Sequence, residues 1–490
     1  MKAIIIGSGI GGMASAIRMA SLGLETHVFE QNAFYGGKIN SKSLKGYRFD
    51  VGPSVFTEPH LIEELLSVQN PSNIDFTYTK LPVSCCYFFE DGTRIPLPTG
   101  TKAVAQSLSE NLGEDQKKIE RFLKRLEFNY KAVYAVFIES SLHRIKQWLN
   151  RNIFNAIYRI PFYGLFSSMN SVNTRDFDNP KTAQIFNRFA TYNGSDPYRS
   201  PAMFNIIAHL ELNIGPFMPN GGMVKISDAI YKKAIELGVQ FHLKSRVDEI
   251  LYADGKVEGI IADEQKHECD IIVSNMDVHF TYEKLLPKLR GPRKILEQEK
   301  STSAIVFYWG IRKSFDILDV HNIFFSEDYE GEFNSIFRQK SLSDDPTVYL
   351  HISSKMQKED APSGCENWFV MVNAPIDAGQ DWEVQKKKVR SSIIRKLSKQ
   401  LHEDISELIE TEENIDPVIM ERMYSGKNGS IYGNASNSIL SSFYRHPNFM
   451  ASIKGLYFSG VTVHPGGGIP LALNSAAIVQ QCVKKDFSIY

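Results

Sequence analysis

Apolar positions along the chain follow two rhythms, an unbroken one that marks buried parallel strands and a helical one that marks amphipathic segments. Ala3-Ile4-Ile5-Ile6 is continuous and apolar, the pattern of a central strand covered on both faces. After Gly7-Ser8-Gly9-Ile10-Gly11-Gly12, the stretch Met13 to Leu22 predicts a helix that carries Ala14, Ala16 and Ala20 and stops at Gly23. Glu25 to Phe29 predicts a second strand, which delivers Glu30. Leu61 to Val68 reads as a short helix, Tyr87 to Ile95 as a hairpin turning at Asp91-Gly92, and Ala103 to Ile138 as mainly helical with many exposed charges. The turn Phe217 to Met223 opens an amphipathic helix, Val224 to Leu237, ended by Gly238. Gln240 to Leu243 and Ser245 to Ile250 are strands in a pattern that returns to βαβ, and Asp270 to Asp277 is a buried strand with a polar end. Ala304 to Gly310 and Trp368 to Asn373 are mixed strands, and Lys386-Lys387-Lys388 reads as the solvated face of a charged helix. Near the C-terminus a strand, Leu456 to Ser459, precedes a glycine-rich turn and a helix, Leu471 to Val483, with Pro470 suited to its first position.

Length turns these elements into more than one lobe, because 490 residues exceed what one core of roughly 150 residues holds. Hydrophobic residues at 43% and charged residues at 23% exclude a disordered, collagenous or disulfide-scaffold chain. A net charge of −1 gives no global signal for nucleic acid. Aromatics at 11% point instead to large apolar internal surfaces or a lined cavity. The five cysteines, Cys85, Cys86, Cys269, Cys365 and Cys482, contain no C-x-x-C, so neither a disulfide framework nor a metal site is expected, and a reducing cytoplasmic compartment fits. Neither a signal peptide nor an apolar run of ~18 residues is present, so membrane contact is expected to be peripheral.

The chemistry begins at G-x-G-x-x-G. Gly7 permits a tight turn, Gly9 lets backbone approach a pyrophosphate, and Gly12 lets the helix lie on the strand, while the N–H groups around Gly11 favour an anion. Glu30 falls close to the ~20-residue distance at which an acid meets ribose hydroxyls, and its charge disfavours a 2′-phosphate. Two further glycine turns follow, Gly36-Gly37-Lys38 and Phe49-Asp50-Val51-Gly52-Pro53-Ser54, where a simple dehydrogenase would begin its next βα unit. This E-x(5)-G-G-[RK] continuation resembles the flavoproteins with two dinucleotide-binding domains, the broad class holding amine oxidases and carotenoid desaturases, and implies FAD rather than NAD. In that class a strand near Val247 places a valine backbone against adenine. There is no second G-x-G-x-x-G, so no separate NAD(P)H domain is encoded.

Four C-terminal motifs narrow the resemblance: Gly429-Ser430-Ile431-Tyr432-Gly433, Arg445-His446-Pro447-Asn448, Gly455 to Gly460, and Thr462-Val463-His464-Pro465-Gly466-Gly467-Gly468-Ile469-Pro470-Leu471. With the N-terminal turns, Asp345 to Leu350 and Ala361 to Cys365, they make nearly the whole chain resemble the bacterial carotenoid desaturase family of the phytoene desaturase type. The resemblance implies a two-lobed α/β flavoprotein with a Rossmann-like, discontinuous FAD domain (1–80, 218–295 and 415–490). A mixed-sheet and helical domain (81–217 and 296–414) would bind substrate and contact the membrane. Gly460, Gly467, Gly468, Ile469 and Pro470 would approach the flavin ring, whose reduced, anionic form suits a helix start. No particular Cys or His signals covalent attachment, so FAD is expected to be held non-covalently.

The implied chemistry is dehydrogenation of a carotenoid: hydride passes from an allylic carbon to flavin, and a proton leaves the neighbouring carbon. No side chain can oxidise a C–H bond, so the cofactor is the electron sink, and oxygen or a quinone is the expected acceptor. The base is not legible; His209, Glu211 and Asp196 read as structural and His464 as positioning. Gly466-Gly467-Gly468-Ile469-Pro470-Leu471 and Glu366 to Pro375 look more like 3,4-desaturases of hydroxylated or monocyclic carotenoids than phytoene desaturases. Phytoene desaturation, and a non-catalytic prenyl-binding escort of the same fold, are the alternatives. An amine or porphyrinogen oxidase would need a polar-substrate constellation, and none is found. Aromatics from Phe154 to Phe217, among them Tyr158, Phe162, Tyr163, Phe166, Phe186, Phe189, Tyr192, Tyr198 and Phe204, are expected as core or as the lining of a polyene tunnel. The basic stretch His143 to Arg151 with Trp148, and the apolar stretch Ile153 to Phe166, are the expected interfacial segment.

Overall fold

The computed structural model describes residues 1–70, 73–138, 143 and 164–489. Its first layer is a five-stranded parallel sheet in the order Leu456–Phe458, Ile271–Ser274, Lys2–Ile6, Glu25–Glu30, Gln240–Leu243. Lys2–Ile6 is central and its apolar side chains are buried, which is what an unbroken Ala-Ile-Ile-Ile run requires. Helices Ile10–Ala20, Val224–Glu236 and Ile469–Phe487 pack together on one face through Met13, Ile17, Ile226, Ile230, Leu473 and Val479. Three distant parts of the chain therefore build one sheet.

A second sheet carries the other lobe. Its seven strands run Ile409–Ile415, Ser303–Ile311, Glu366–Ala374, Val348–Ile352, His321–Phe324, Val83–Phe88, Arg94–Pro98. All neighbours are antiparallel except His321–Phe324 against Val83–Phe88. The long helix Trp382–Leu401 covers one face through Val389, Ile393 and Leu397.

Several expectations shift by a few residues, each for a local reason. The first helix begins at Ile10, directly on Gly9, so Gly11 and Gly12 lie inside its first turn. Helix Ile469–Phe487 is capped by Gly468, which makes Pro470 its second residue. The Ala103–Ile138 segment divides into Thr101–Leu112 and Gln116–Val133, because Gly113 turns left-handed (φ +74°) between them. The expected return to βαβ after residue 245 is corrected: Gln240–Leu243 closes the edge of the parallel sheet, whereas Val247–Ala253 starts an antiparallel three-stranded sheet with Lys256–Ala262 and Gln265–Glu268. Two-residue turns, Asp254-Gly255 and Asp263-Glu264, connect these strands, and no helix intervenes. Lys386 is also corrected, since it turns inward to Glu383 and Asp416 at 2.7 and 3.0 Å, while Lys387 and Lys388 are exposed.

Candidate functional site

Three glycine turns converge at the C-terminal edge of the parallel sheet. Gly7 adopts φ +91°, and a Cβ on Gly12 would lie 2.0 Å from the Gly7 carbonyl oxygen, so the helix sits on the strand end at a distance only glycine allows. Gly36 (φ +92°) bridges Gly9, and its amide donates to the Ser8 carbonyl at 2.9 Å. Gly37 is in contact as well, its notional Cβ 3.1 Å from the Gly9 Cα. From the C-terminal side Gly460 packs on Gly11, whose Cβ would lie 3.0 Å from the Gly460 Cα. Asn275, at the end of strand Ile271–Ser274, fills the crook between these turns and donates from Nδ2 to the Ser459 carbonyl at 3.1 Å.

Glu30 is buried at the end of its strand and accepts four hydrogen bonds. Oε2 takes the Ser8 amide and Ser8 Oγ, both at 2.8 Å; Oε1 takes the Asn32 amide at 2.8 Å and Asn32 Nδ2 at 2.9 Å. The two amides hold the carboxylate in place, and the two side-chain donors can rotate away in favour of ribose hydroxyls. Val247 is buried at the start of its strand, opposite Ala262.

Lys38 reaches from the second glycine turn to the Ile431 carbonyl at 2.8 Å. Burial pushes its ammonium down to about 8, against partial support from Asp277. Gly52 lies on the Lys38 backbone, its Cβ position only 1.9 Å from the Lys38 carbonyl oxygen, and Pro53 follows it, half-buried. Gly467 abuts Tyr432, since a Cβ on it would lie 2.5 Å from the ring, whereas a Cβ on Gly468 (φ +112°) would meet nothing within 4 Å. Ile469 and Pro470 then start the last helix from that open position. Arg445 is buried beside Gly466, and desolvation pushes its guanidinium down to about 10.

The arrangement fits a dinucleotide: a backbone cradle without side chains, a held carboxylate, a buried lysine, and an open glycine at a helix start. Gly7, Gly9, Gly11, Gly12, Glu30, Gly36, Gly37, Lys38 and Gly52 are brought together, and Gly460 joins them from the other end of the chain. Asn275, Ser8 and Ser459 belong to the same constellation, and sequence reasoning missed them. Asn275 had one usable signal, its place at the end of a buried strand.

Facing these turns, the second sheet presents a row of register partners, Tyr87, Ile323, Tyr349, Met371 and Val306, with His321, His351, Phe369 and Tyr308 in the next row of the same face. Tyr349 and Met371 are half-buried; the others are buried. The Tyr349 hydroxyl bonds Ser54 Oγ at 2.7 Å and His321 Nδ1 at 2.8 Å. Tyr308 donates to the Val51 carbonyl at 2.8 Å. Beneath Tyr87, Arg188 pairs with Glu211, which also accepts from Tyr192 and from Ser84 at 2.7 Å.

His209, Glu211 and Asp196 are buried in hydrogen-bond networks, and His464 is buried beside His446, whose carbonyl accepts from the His464 amide at 2.9 Å. Phe186 and Phe189 are core and Phe166 is 84% exposed, while Tyr192, Tyr198 and Phe204 are half-buried. Phe154, Tyr158, Phe162, Tyr163 and Trp148, with Arg144, Lys146 and Arg151, lie outside the described residues. Among the described residues no cluster suited to a metal ion occurs, and no helix is long and apolar enough to cross a membrane. The five cysteines are free, and burial pushes the Cys269 thiol up to about 12.

Comparison with known proteins places the chain among flavin-dependent oxidoreductases. Residues 10–483 match the family described as flavin containing amine oxidoreductase. The chain is 45% identical to the 1-hydroxycarotenoid 3,4-desaturase of Flavobacterium sp. (strain P99-3), over 98% of this chain and 99% of that one. It is 30% identical to the 4,4'-diapolycopene oxygenase of Methylomonas sp, over 99% and 98%, and 31% identical to the 4,4'-diaponeurosporene oxygenase of Staphylococcus aureus (strain MSSA476), over 96% and 95%. In fold it is similar to the cyclohexylamine oxidase of Brevibacterium oxydans IH-35A, with a TM-score of 0.64 at 15% identity over 99% of both chains. An oxidoreductase from Methanosarcina mazei gives 0.62 at 16%, over 99% and 100%.

Proposed function

Because the chain belongs to the flavin-containing amine oxidoreductase family, and within it to the carotenoid desaturases, we propose that this FAD-dependent oxidoreductase introduces the 3,4 double bond at the acyclic end of a 1-hydroxylated carotenoid. The observation that carries the proposal is the 45% identity, end to end, to a 1-hydroxycarotenoid 3,4-desaturase. Relatives that act as oxygenases stand at 30–31%.

The bound flavin supplies the two-electron sink that no side chain can provide. Gly7, Gly9, Gly11 and Gly12 would cradle the pyrophosphate, with Gly36 and Gly37 behind them, and Lys38 would offset its charge. Glu30 would hold the ribose and Val247 would meet adenine, while Gly52 with Pro53 keeps the Lys38 backbone in place. Gly460, Gly467, Gly468, Ile469 and Pro470 would line a non-covalently held ring, where a helix start favours negative charge. Met371 and Phe369 form an apolar floor that would orient the polyene and exclude water, with the Tyr349 hydroxyl at its edge. Desaturation removes two electrons and two protons in all, a hydride equivalent from an allylic carbon that the bound flavin would accept and a proton from its neighbour, and oxygen or a quinone would be the final acceptor. The membrane surface supplies the substrate to a peripherally bound, cytoplasmic enzyme.

The test is a panel of phytoene, lycopene, γ-carotene and 1-hydroxy carotenoids in liposomes, offered to the FAD-loaded enzyme. The expected products are 1-hydroxy carotenoids lighter by two hydrogens, with conjugation extended at the ψ-end. Efficient conversion of phytoene would reassign the subtype, and products that gain oxygen would favour an oxygenase. Protein unable to take up FAD, without flavin absorbance that bleaches with dithionite, would leave the non-catalytic escort.

A further inference from the structure

A 1-hydroxy end group places its oxygen three bonds from C3, so a group that reads the hydroxyl must lie within about 7 Å of that reacting carbon. It must therefore sit between the glycine turns and the facing sheet. A pair of polar side chains spans that boundary. Ser54 ends the Gly52-Pro53 turn, whose glycine rests on Lys38, and Tyr349 stands at the centre of the second sheet. Their hydroxyls meet at 2.7 Å, both residues are half-buried, and the apolar Met371 is the register neighbour of Tyr349.

We propose that the Ser54–Tyr349 hydroxyl pair is the subsite that recognises the tertiary hydroxyl of the carotenoid end group and thereby sets the enzyme's preference for hydroxylated substrates. This rests on the substrate reading above and adds the residues that would enforce it.

The chemistry of the pair suits an alcohol. Tyr349 is anchored from behind by His321 Nδ1 at 2.8 Å, and His321 is buried and stacked on His351 with ring centroids 5.1 Å apart. Burial pushes the Tyr349 phenol up and the His321 imidazole down, so both are neutral near neutrality. A neutral imidazole has two tautomers, and the chain can run either way. With His321 accepting, Tyr349 donates to it, Ser54 donates to Tyr349, and Ser54 Oγ accepts from the substrate. With His321 donating, Tyr349 donates to Ser54, and the Ser54 proton is free for the substrate oxygen. A hydrocarbon end would leave Ser54 with unused hydrogen-bonding capacity against an apolar surface, which penalises it.

The experiment compares Ser54→Ala and Tyr349→Phe with wild type on two carotenoids of identical carbon skeleton, one hydroxylated at C1 and one not. Flavin content and melting temperature identify folded variants, and either variant alone suffices. Wild type is expected to favour the hydroxylated compound in kcat/KM, and each variant to reduce that ratio by about 10- to 100-fold. A wild type that prefers hydroxylated substrate, with folded variants that keep the full preference, would overturn the subsite alone. A wild type with no preference would overturn the substrate reading and the subsite together.

Discussion

Gly9 and Gly36 are bridged in parallel register, so the Gly7-to-Gly12 turn and the turn after Glu30 form one backbone surface. The contact leaves different freedom at neighbouring glycines. A Cβ on Gly9 would lie 2.8 Å from Asn275 Oδ1, the far end of a side chain that can move, while one on Gly12 would lie 2.0 Å from the Gly7 carbonyl, which cannot. Gly12→Ala is therefore expected to lose about 3 kcal/mol or more of stability and most of its flavin. Gly9→Ala should be milder in stability, and Gly9→Val should lose FAD because its side chain occupies the approach path. Urea unfolding and the flavin-to-protein absorbance ratio measure both; a Gly9→Val protein with stoichiometric flavin would displace the site.

Lys38 gives a pH signature. Its folded value of about 8 lies below the ordinary 10.5, so between those values the unfolded chain holds a proton that the folded one lacks. Stability contributed by this group therefore rises with pH across that window. Cofactor affinity runs the opposite way: a diphosphate favours the ammonium, and binding should weaken by up to about tenfold per pH unit above about 8. Fluorescence titration of FAD into apoprotein from about pH 7 to about pH 10 measures this, and Lys38→Gln should bind more weakly with a flat profile over the window.

Glu211 and Arg188 are a buried pair on the far side of the sheet from the long helix, with Tyr192, Ser84 and Tyr87 completing their hydrogen bonds. Glu211→Leu leaves a guanidinium without its counterion and should cost about 3–5 kcal/mol in urea unfolding. Adding Arg188→Met should recover most of that loss, since the uncompensated charge is gone. A double variant as unstable as the single one would show that the wider network, rather than the charge, carries the stability.

The parallel sheet was legible because its strands announce themselves: Ala3 to Ile6 and Ile271 to Val273 are unbroken apolar runs, and each leads directly into residues of the turns. Turn glycines were legible for a similar reason, since positive φ and close backbone approach admit little else at Gly7, Gly36 and Gly468. Asn275, Ser54 and Tyr349 were not. Each acquires its role from a residue far away in sequence, and a lone polar residue at a strand end or in a strand has no local signature. The antiparallel sheet after residue 245 escaped for another reason, because the run Val247, Asp248, Glu249, Ile250 breaks period-2 alternation at a bulge and so does not say which sheet accepts the strand.

Delivery of the polyene is the last expectation, and it rests on sequence. Arg144, Lys146 and Arg151 flank Trp148, and Ile153 to Phe166 is apolar but broken by Pro161, a composition for lying in an interface rather than spanning it. Cations near anionic lipid contribute ~1 kcal/mol each, so losing all three is expected to weaken vesicle binding by on the order of 100-fold, and reversing them by more. Flotation with anionic liposomes should show wild-type binding that falls with salt. The variant Arg144→Glu/Lys146→Glu/Arg151→Glu should float poorly and turn over liposomal carotenoid slowly, yet keep its flavin and its activity on detergent-solubilised substrate. Undiminished flotation in that variant would place the membrane contact elsewhere on the molecule.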